Sequence, residues 1–274
     1  MKILVLGSAG QIGAPTCKYL REQGHEVIEF DCKLDPVKQE LILPYHQTDL
    51  LDRMNECDFC YYFASNVGGA KYLEKHQDSF DFIVENMMIM TNVFRVLNLL
   101  GKPFIFTSSQ MADLHHSTYG MLKLLGEKMA NDIGGLVVRL WNVYGPEHDE
   151  EKSHVITDFC KMAKYNGVIN MRTTGMECRQ LLYVEDCAEA LLTLTDQYDN
   201  LDKTKPYHIT SFEWTSISTV ANMIQDISDC ELVDGDRLDL TQMNAMNPPD
   251  PYILNFWKPK TSLEEGINKI YDLC

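Results

Sequence analysis

The chain has 274 residues, 45% of them apolar, enough to fill the core of one large α/β domain or of a domain plus a lobe. Its formal net charge of -16 repels nucleic acid and anionic membranes at long range, so an anionic ligand has to be caught by local cations or dipoles. Nine cysteines at irregular positions give no disulfide ladder and suit a reducing compartment.

The N-terminal run "MKILVLGSAG" breaks into a turn too soon for a signal sequence or a membrane span, and no other stretch reads as a span. A soluble, cytoplasmic protein is expected. "KILVLG" predicts a strand and "APTCKYLREQG" a helix that closes on Gly24. The turn between them, "LVLGSAGQIGAP", places Gly7, Gly10 and Gly13 where backbone N–H groups and a helix N-terminus can cradle a pyrophosphate.

The next strand, "EVIEFD", ends in Asp31, 18 residues after Gly13. A carboxylate there accepts hydrogen bonds from the adenosine ribose and repels a 2′-phosphate, which favours NAD over NADP. "FCYYFAS" is a third strand. The lone Cys57 and Cys60 pair before and within it lacks the second pair of a metal site and reads as strand packing; no metal is expected.

"FDFIVENMMIMTNVFRVLNLLG" predicts a long helix closing on Gly101, and "PFIFTSS" a fourth strand that ends in hydroxyls. Ten residues after Ser109 comes Tyr119, and four further on Lys123, at the start of the helical pattern "GMLKLLGEKMAND". Tyr and Lys four apart share a helix face. An ammonium beside a phenol lowers its pKa, so Tyr119 can take a proton from a sugar hydroxyl as hydride leaves the carbon, with a Ser sharing the proton.

"GLVVRLWNV" predicts a fifth strand. Beyond "NVYGPEHDEEKS" the alternation fades into helices "HVITDFCKMAKYNG", "VEDCAEALLTLTDQY", "SISTVANMIQDIS" and "SLEEGINKIYDLC", a short strand "PYHIT" and a Pro-rich loop "MNPPDPY". Serines are placed to cap the last two helices.

With "GSAGQIG", "TSSQ", "YGMLK", "RLWNVYGP", "RQLLYVED" and "KPKTSLEEGI" in order, nearly the whole chain resembles an extended short-chain dehydrogenase/reductase of the NAD-dependent epimerase/dehydratase family. The resemblance implies a Rossmann-type, doubly wound parallel sheet at residues 1–147 and a smaller, interleaved α/β substrate lobe at 148–274, with about 180–212 returning to the first domain. It implies Ser109 (or Ser108), Tyr119 and Lys123 as the catalytic set. Gly7, Gly10, Gln11, Ile12, Gly13, Asp31, Asp49, Leu50 and Ala64 would line the NAD site. Arg179 and Asn142 would approach the diphosphate of a nucleoside-diphosphate sugar, with Glu177 and Glu185 as competing partners for Arg179. A homodimer is expected by the same resemblance.

The Val-Gly-Gly and Asn-Met-Met of residues 63–94 and "SHVITDF" are similar to the branch containing GDP-fucose synthase, which makes His154 a candidate proton donor at the substrate. That branch places a Cys after the catalytic Ser; Gln110 stands here and does not titrate. The dehydratase branch needs an Asp-Glu pair that "SSQMA" lacks. The expectation is therefore a nucleotide-sugar epimerase that oxidises a hydroxyl, at C4, with retained NAD and re-reduces it. A dehydrogenase or ketoreductase is the alternative, and a non-catalytic nucleotide-binding protein the least favoured reading. The short Ser109 to Tyr119 connection predicts an open rim with His115 and His116 near the entrance; were it too short, Ser108 or Thr107 would replace Ser109.

Overall fold

The apolar runs of the first half become one parallel sheet in a computed structural model that describes residues 1–34, 41, 49–147, 149–239 and 248–274. Its strands are β1 (Lys2–Leu6), β2 (Glu26–Phe30), β3 (Phe59–Tyr62), β4 (Phe104–Ser109), β5 (Leu136–Leu140) and β10 (Tyr207–Ile209), in the order β10-β5-β4-β3-β1-β2. Side chains alternate across the sheet and both faces are covered, which is why the strands read as continuous apolar runs. Ile3, Val5, Tyr61, Ile105 and Val138 pack with Cys17 and Leu20 of α1 (Gly13–Glu22) and Leu191 of α7 (Val184–Asp196). On the other face Leu4, Leu6, Tyr62 and Phe106 meet Met54 of α2 (Leu50–Glu56), Phe94 of α4 (Phe80–Leu100) and Ala130 of α5 (Thr118–Asp132).

The fifth predicted strand divides in two: β5 stays in the sheet, while β6 (Asn142–Tyr144) leaves it to pair with β9 (Leu181–Tyr183). This handover begins a smaller unit. It holds α6 (Val155–Lys161), α8 (Ile217–Ser228) and α9 (Leu263–Leu273) around a core of Ile156, Phe159, Ile169, Val220, Ile224 and Ile267. Two short ladders complete it, β7 (Val168–Asn170) with β12 (Glu231–Val233) and β8 (Cys178–Arg179) with β11 (Thr215–Ser216). The hydroxyls of Ser216 and Ser262 accept from the Thr219 and Glu265 N–H groups, the caps expected from the sequence. Gly101 closes α4 in the left-handed region at φ 61°. α2 and α3 (Ala70–His76) are too short to show a helical period. Of the predicted loop "MNPPDPY", the first two residues lie outside the described ones; Pro251–Asn255 form a 3-10 turn.

One expectation changes. α4 is long and apolar enough to cross a membrane by length and composition, contrary to the sequence reading, because the face that packs on the sheet and its outer face are both apolar: Val93, Phe94 and Leu97 are buried while Met87, Met88 and Leu99 are exposed. Cys57 and Cys60 are both buried at β3, and burial pushes both thiols up.

β10 also buries His208, whose Nδ1 accepts from the Trp141 indole N–H at 3.1 Å. Burial, then the nearby Arg139, push the imidazole down from 6.5 to about 4. The unfolded ring takes up its proton near pH 6.5 and the folded one resists to about pH 4. The neutral ring's contribution is therefore complete above pH 6.5 and is lost as pH falls through this window, up to about 3 kcal/mol. Urea unfolding measured against pH should lose less stability on the acid side in His208→Gln than in wild type; parallel curves would refute this.

Candidate active site

The turn after β1 is built by contacts that exclude side chains. At Gly7, φ is +86° and a Cβ would lie 2.8 Å from the Ala64 nitrogen; at Gly13 it would lie 2.0 Å from the Gly7 carbonyl oxygen. Glycine at these two positions lets the turn close against β3 and lets α1 start beneath it. Gly10 N–H closes the turn on the Gly7 carbonyl at 3.2 Å. Asp31, at the end of β2, accepts from Ala9 N–H at 3.0 Å and Lys33 N–H at 2.8 Å, which holds its carboxylate against the loop. Among the described residues the buried Ser8 hydroxyl in the same turn has no partner. A tight glycine cradle, an unpartnered hydroxyl and a fixed carboxylate suit a dinucleotide.

The other residues expected at this site take different places. Gln11 Nε2 donates to the Val143 carbonyl at 3.2 Å, tying the loop to β6. Ile12 opens α1 and packs against the core shared with α7. Asp49 precedes α2 and pairs with Arg53 at 3.2 Å, whereas the Leu50 side chain is fully buried in the core and has only its backbone to offer a ligand.

Ser109 ends β4 opposite Leu140 of β5, at the carboxyl edge where open α/β sheets bind ligands. Its Oγ accepts from Met111 N–H at 3.2 Å and shares a hydrogen bond with the Tyr119 hydroxyl. Lys123 is buried; Nζ donates to the Thr107 carbonyl at 2.9 Å and lies 5.7 Å from the Tyr119 ring centre. The three predicted catalytic residues are therefore together. Ala64, Ser65, Asn86, Phe106, Tyr119 and Lys123 line a small cleft, and the Ala64 backbone in its wall is the one that Gly7 approaches.

Burial pushes the Tyr119 phenol up, and the Ser109 hydrogen bond pulls it partly back. This reverses the expected lowering by the ammonium, because Lys123 is committed to the Thr107 carbonyl and is itself desolvated. Burial pushes Lys123 down to about 8, with Glu127 pulling the other way. Tyr119 rests as a protonated phenol, ready to donate.

The short connection suffices because of two features the sequence did not signal. After a 3-10 turn, Gln110–Asp113, α5 sits directly on it: a Cβ at Gly120 would lie 2.1 Å from the Met111 carbonyl oxygen. The buried Gln77 side chain then braces the helix start, its Oε1 accepting from the Ser117 hydroxyl at 2.9 Å and from Tyr119 N–H at 3.3 Å. No substitute for Ser109 is needed. Ser108 points the other way and donates to Glu127 Oε1 at 2.5 Å, and Thr107 donates to the Tyr62 carbonyl at 2.9 Å. Alternation along a strand separates Ser108 from Ser109, so the structure does not bring Ser108 to the cleft. His115 and His116 are exposed on the connection.

The expected substrate residues are spread over the second unit. Asn142 opens β6 with Nδ2 buried and unpartnered among the described residues. Arg179 on β8 donates to the Cys178 carbonyl and pairs with Asp239, with Glu177, one of the competing partners, also acting on it. Burial pushes its guanidinium down while Asp239 and Glu177 oppose the shift. His154 precedes α6 and meets Glu147, 2.6 Å from Nδ1. Glu147 was hidden in the acidic run "EHDEE", where nothing separates a buried carboxylate from solvated ones.

Comparison with known proteins identifies the family. The chain is 25% identical over 317 residues to GDP-L-fucose synthase 1 of Arabidopsis thaliana, covering 99% of this chain and 92% of that protein. It is 24% identical over 313 residues to GDP-mannose 3,5-epimerase 1 of Oryza sativa subsp. indica, covering 99% and 81%. Its fold superposes on UDP-glucose 4-epimerase of Thermotoga maritima with a TM-score of 0.79 at 19% identity, covering 99% and 98%. A sequence model described as "NAD dependent epimerase/dehydratase family" matches residues 3–210, so the chain belongs to that family of nucleotide-sugar-modifying enzymes and uses NAD.

Proposed function

We propose that the protein is a nucleotide-sugar epimerase that oxidises a sugar hydroxyl, at C4, to a keto intermediate and reduces it again on the opposite face. The observation that carries this reading is the Ser109–Tyr119–Lys123 group, with Tyr119 and Lys123 lining a small cleft at the carboxyl edge of the sheet. NAD held there would supply the acceptor and donor of the hydride. Gly7, Gly10, Gly13 and Asp31 would hold its adenosine and pyrophosphate, with Ser8 an additional donor the sequence did not single out. Tyr119 moves the proton of the reacting hydroxyl, Ser109 shares it, and Lys123 fixes the phenol and the ribose. Gln110 offers no titratable group beside Ser109, which supports a redox-only cycle over elimination of water. Asn142 and Arg179 would meet the diphosphate, the latter by exchanging Asp239 for phosphate oxygens.

The similarity to GDP-L-fucose synthase 1 favours a 4-ketoreductase or 4-dehydrogenase as the second reading, since the same residues would serve it. We further propose a cytoplasmic homodimer that covers the exposed Phe80, Met87, Met88 and Leu99 of α4 with Met121 and Leu125 of α5.

The test is to denature the purified protein, identify the released nicotinamide cofactor, and analyse products after incubation with UDP, GDP, dTDP and CDP sugars. Released NAD and an epimeric sugar are expected. Net reduction of a keto-sugar by NADPH, or accumulation of NADH without an epimer, would replace the epimerase by the second reading. Retained NAD without turnover of any sugar would favour a binding protein.

A further inference from the structure

The first turn of α5 carries the Tyr119 phenol. A helix start opens more easily than its middle, because its leading N–H groups have no partner within the helix. The Ser117 hydroxyl caps α5 by accepting from Gly120 N–H at 3.1 Å, which leaves Tyr119 N–H unserved by its own helix. Gln77, just past the end of α3, supplies the missing acceptor: its Oε1 takes Tyr119 N–H at 3.3 Å and the proton of the same Ser117 hydroxyl at 2.9 Å. With its proton turned to Gln77, Ser117 Oγ keeps its lone pairs for Gly120.

Gln77 is 9% exposed and Ser117 fully buried, so water does not replace these bonds easily. Beside them the Asp78 carboxylate accepts from the Thr118 hydroxyl, and the Ser79 hydroxyl caps α4. Under this polar clasp Tyr72 and Leu73 of α3 and Phe82 of α4 pack with Met111 of the 3-10 turn and with Tyr119 and Leu122. The other two members of the catalytic group are held by the sheet: Ser109 lies in β4, and Lys123 is tied to the Thr107 carbonyl of the same strand. Tyr119 alone sits on a turn that is gripped from the corner between α3 and α4.

We propose that Gln77 is a positioning residue that keeps the Tyr119 phenol in line with Ser109 and Lys123 by clasping the first turn of α5 from the α3–α4 corner. This role rests on the reading of Ser109, Tyr119 and Lys123 as the catalytic group, and adds the side chain that keeps the group assembled across the short connection. Gln77→Met keeps the length of the side chain and removes the acceptor. Gln77→Glu keeps an acceptor oxygen, and a carboxylate is favoured at a helix N-terminus.

The test pairs steady-state kinetics, on whichever UDP, GDP, dTDP or CDP sugar the wild type converts, with hydrogen exchange of the Tyr119 amide. That amide is assigned in 15N-tyrosine-labelled protein by its loss in Tyr119→Phe. In Gln77→Met it should exchange about 10-fold faster, the loss of one hydrogen bond. There kcat should fall about 10- to 100-fold, the effect of a misplacement of about 1 Å, with KM within about 3-fold of wild type. Gln77→Glu should return both readings to within about 3-fold of wild type. An unchanged exchange rate or an unchanged kcat in Gln77→Met would overturn the proposal. Equal losses in the Met and Glu variants would also overturn it, by making Gln77 a packing residue only. In all of these results the wild type is active, which separates them from a wild type that converts none of the sugars; that would overturn the catalytic reading and this role with it. Should Gln77→Met fail to fold, Ser117→Ala, which opens the other half of the clasp, is judged against wild type by the same two readings.

Discussion

Tyr119→Phe is expected to lower kcat by about 10²- to 10⁴-fold, the range for removing a positioned general acid or base, while leaving the fold and bound NAD in place. The phenyl ring keeps the packing of α5 against the cleft, including the Lys123 ammonium 5.7 Å from its centre. Only the hydroxyl and its hydrogen bond with Ser109 are lost. In transition-state terms the effect is about 3–5 kcal/mol, and it belongs in kcat because the phenol exchanges its proton only as the C–H bond breaks. KM for the sugar nucleotide should change little, and the released cofactor should match wild type. Turnover within a few-fold of wild type would remove Tyr119 from the chemistry. Because burial raises the phenol and oxidation of a hydroxyl needs the phenolate to accept its proton, the rate from the hydroxyl substrate should rise with pH, while the reduction half-step draws on the protonated phenol.

What could be read from the sequence follows the length scale of each signal. The glycine turn, Asp31 and the Tyr119–Lys123 pair are local patterns with fixed spacing, and one strand or helix positions each of them. The six-stranded sheet was legible because its strands are buried on both faces and so read as apolar runs. Short strands such as Cys178–Arg179 and Thr215–Ser216 carry no period. Gln77 and Glu147 were missed for another reason: Gln77 acts on Tyr119 from 42 residues away in sequence, and Glu147 is hidden among like residues in an acidic run. Ser108 and Ser109 show the limit most plainly. Motif order admits either as the catalytic serine, and strand alternation sends one to the Tyr119 hydroxyl and the other to Glu127.

That second serine leads to the largest expected loss of stability. Glu127 on α5 accepts from Arg139 of β5 through both oxygens, at 2.7 and 2.9 Å, and from the Ser108 hydroxyl at 2.5 Å. Its side chain is 7% exposed and that of Arg139 11%. Glu127→Ala leaves a desolvated guanidinium with Asp113 as its remaining carboxylate at 2.7 Å and strands the Ser108 donor, so a loss of about 3–5 kcal/mol is expected. The cause is the uncompensated charge rather than the value of the pair itself. Glu127→Leu combined with Arg139→Met should therefore cost less than Glu127→Ala alone, because both charges go and the apolar volume stays. Glu127 lies one helical turn beyond Lys123, so loosening its anchor also frees the turn that holds the ammonium on the Thr107 carbonyl. Urea titration of the three proteins, read at the unfolding midpoint, gives the comparison. A single-variant loss below about 1 kcal/mol, or a double variant less stable than the single, would show that this buried triad does not anchor α5 to the sheet.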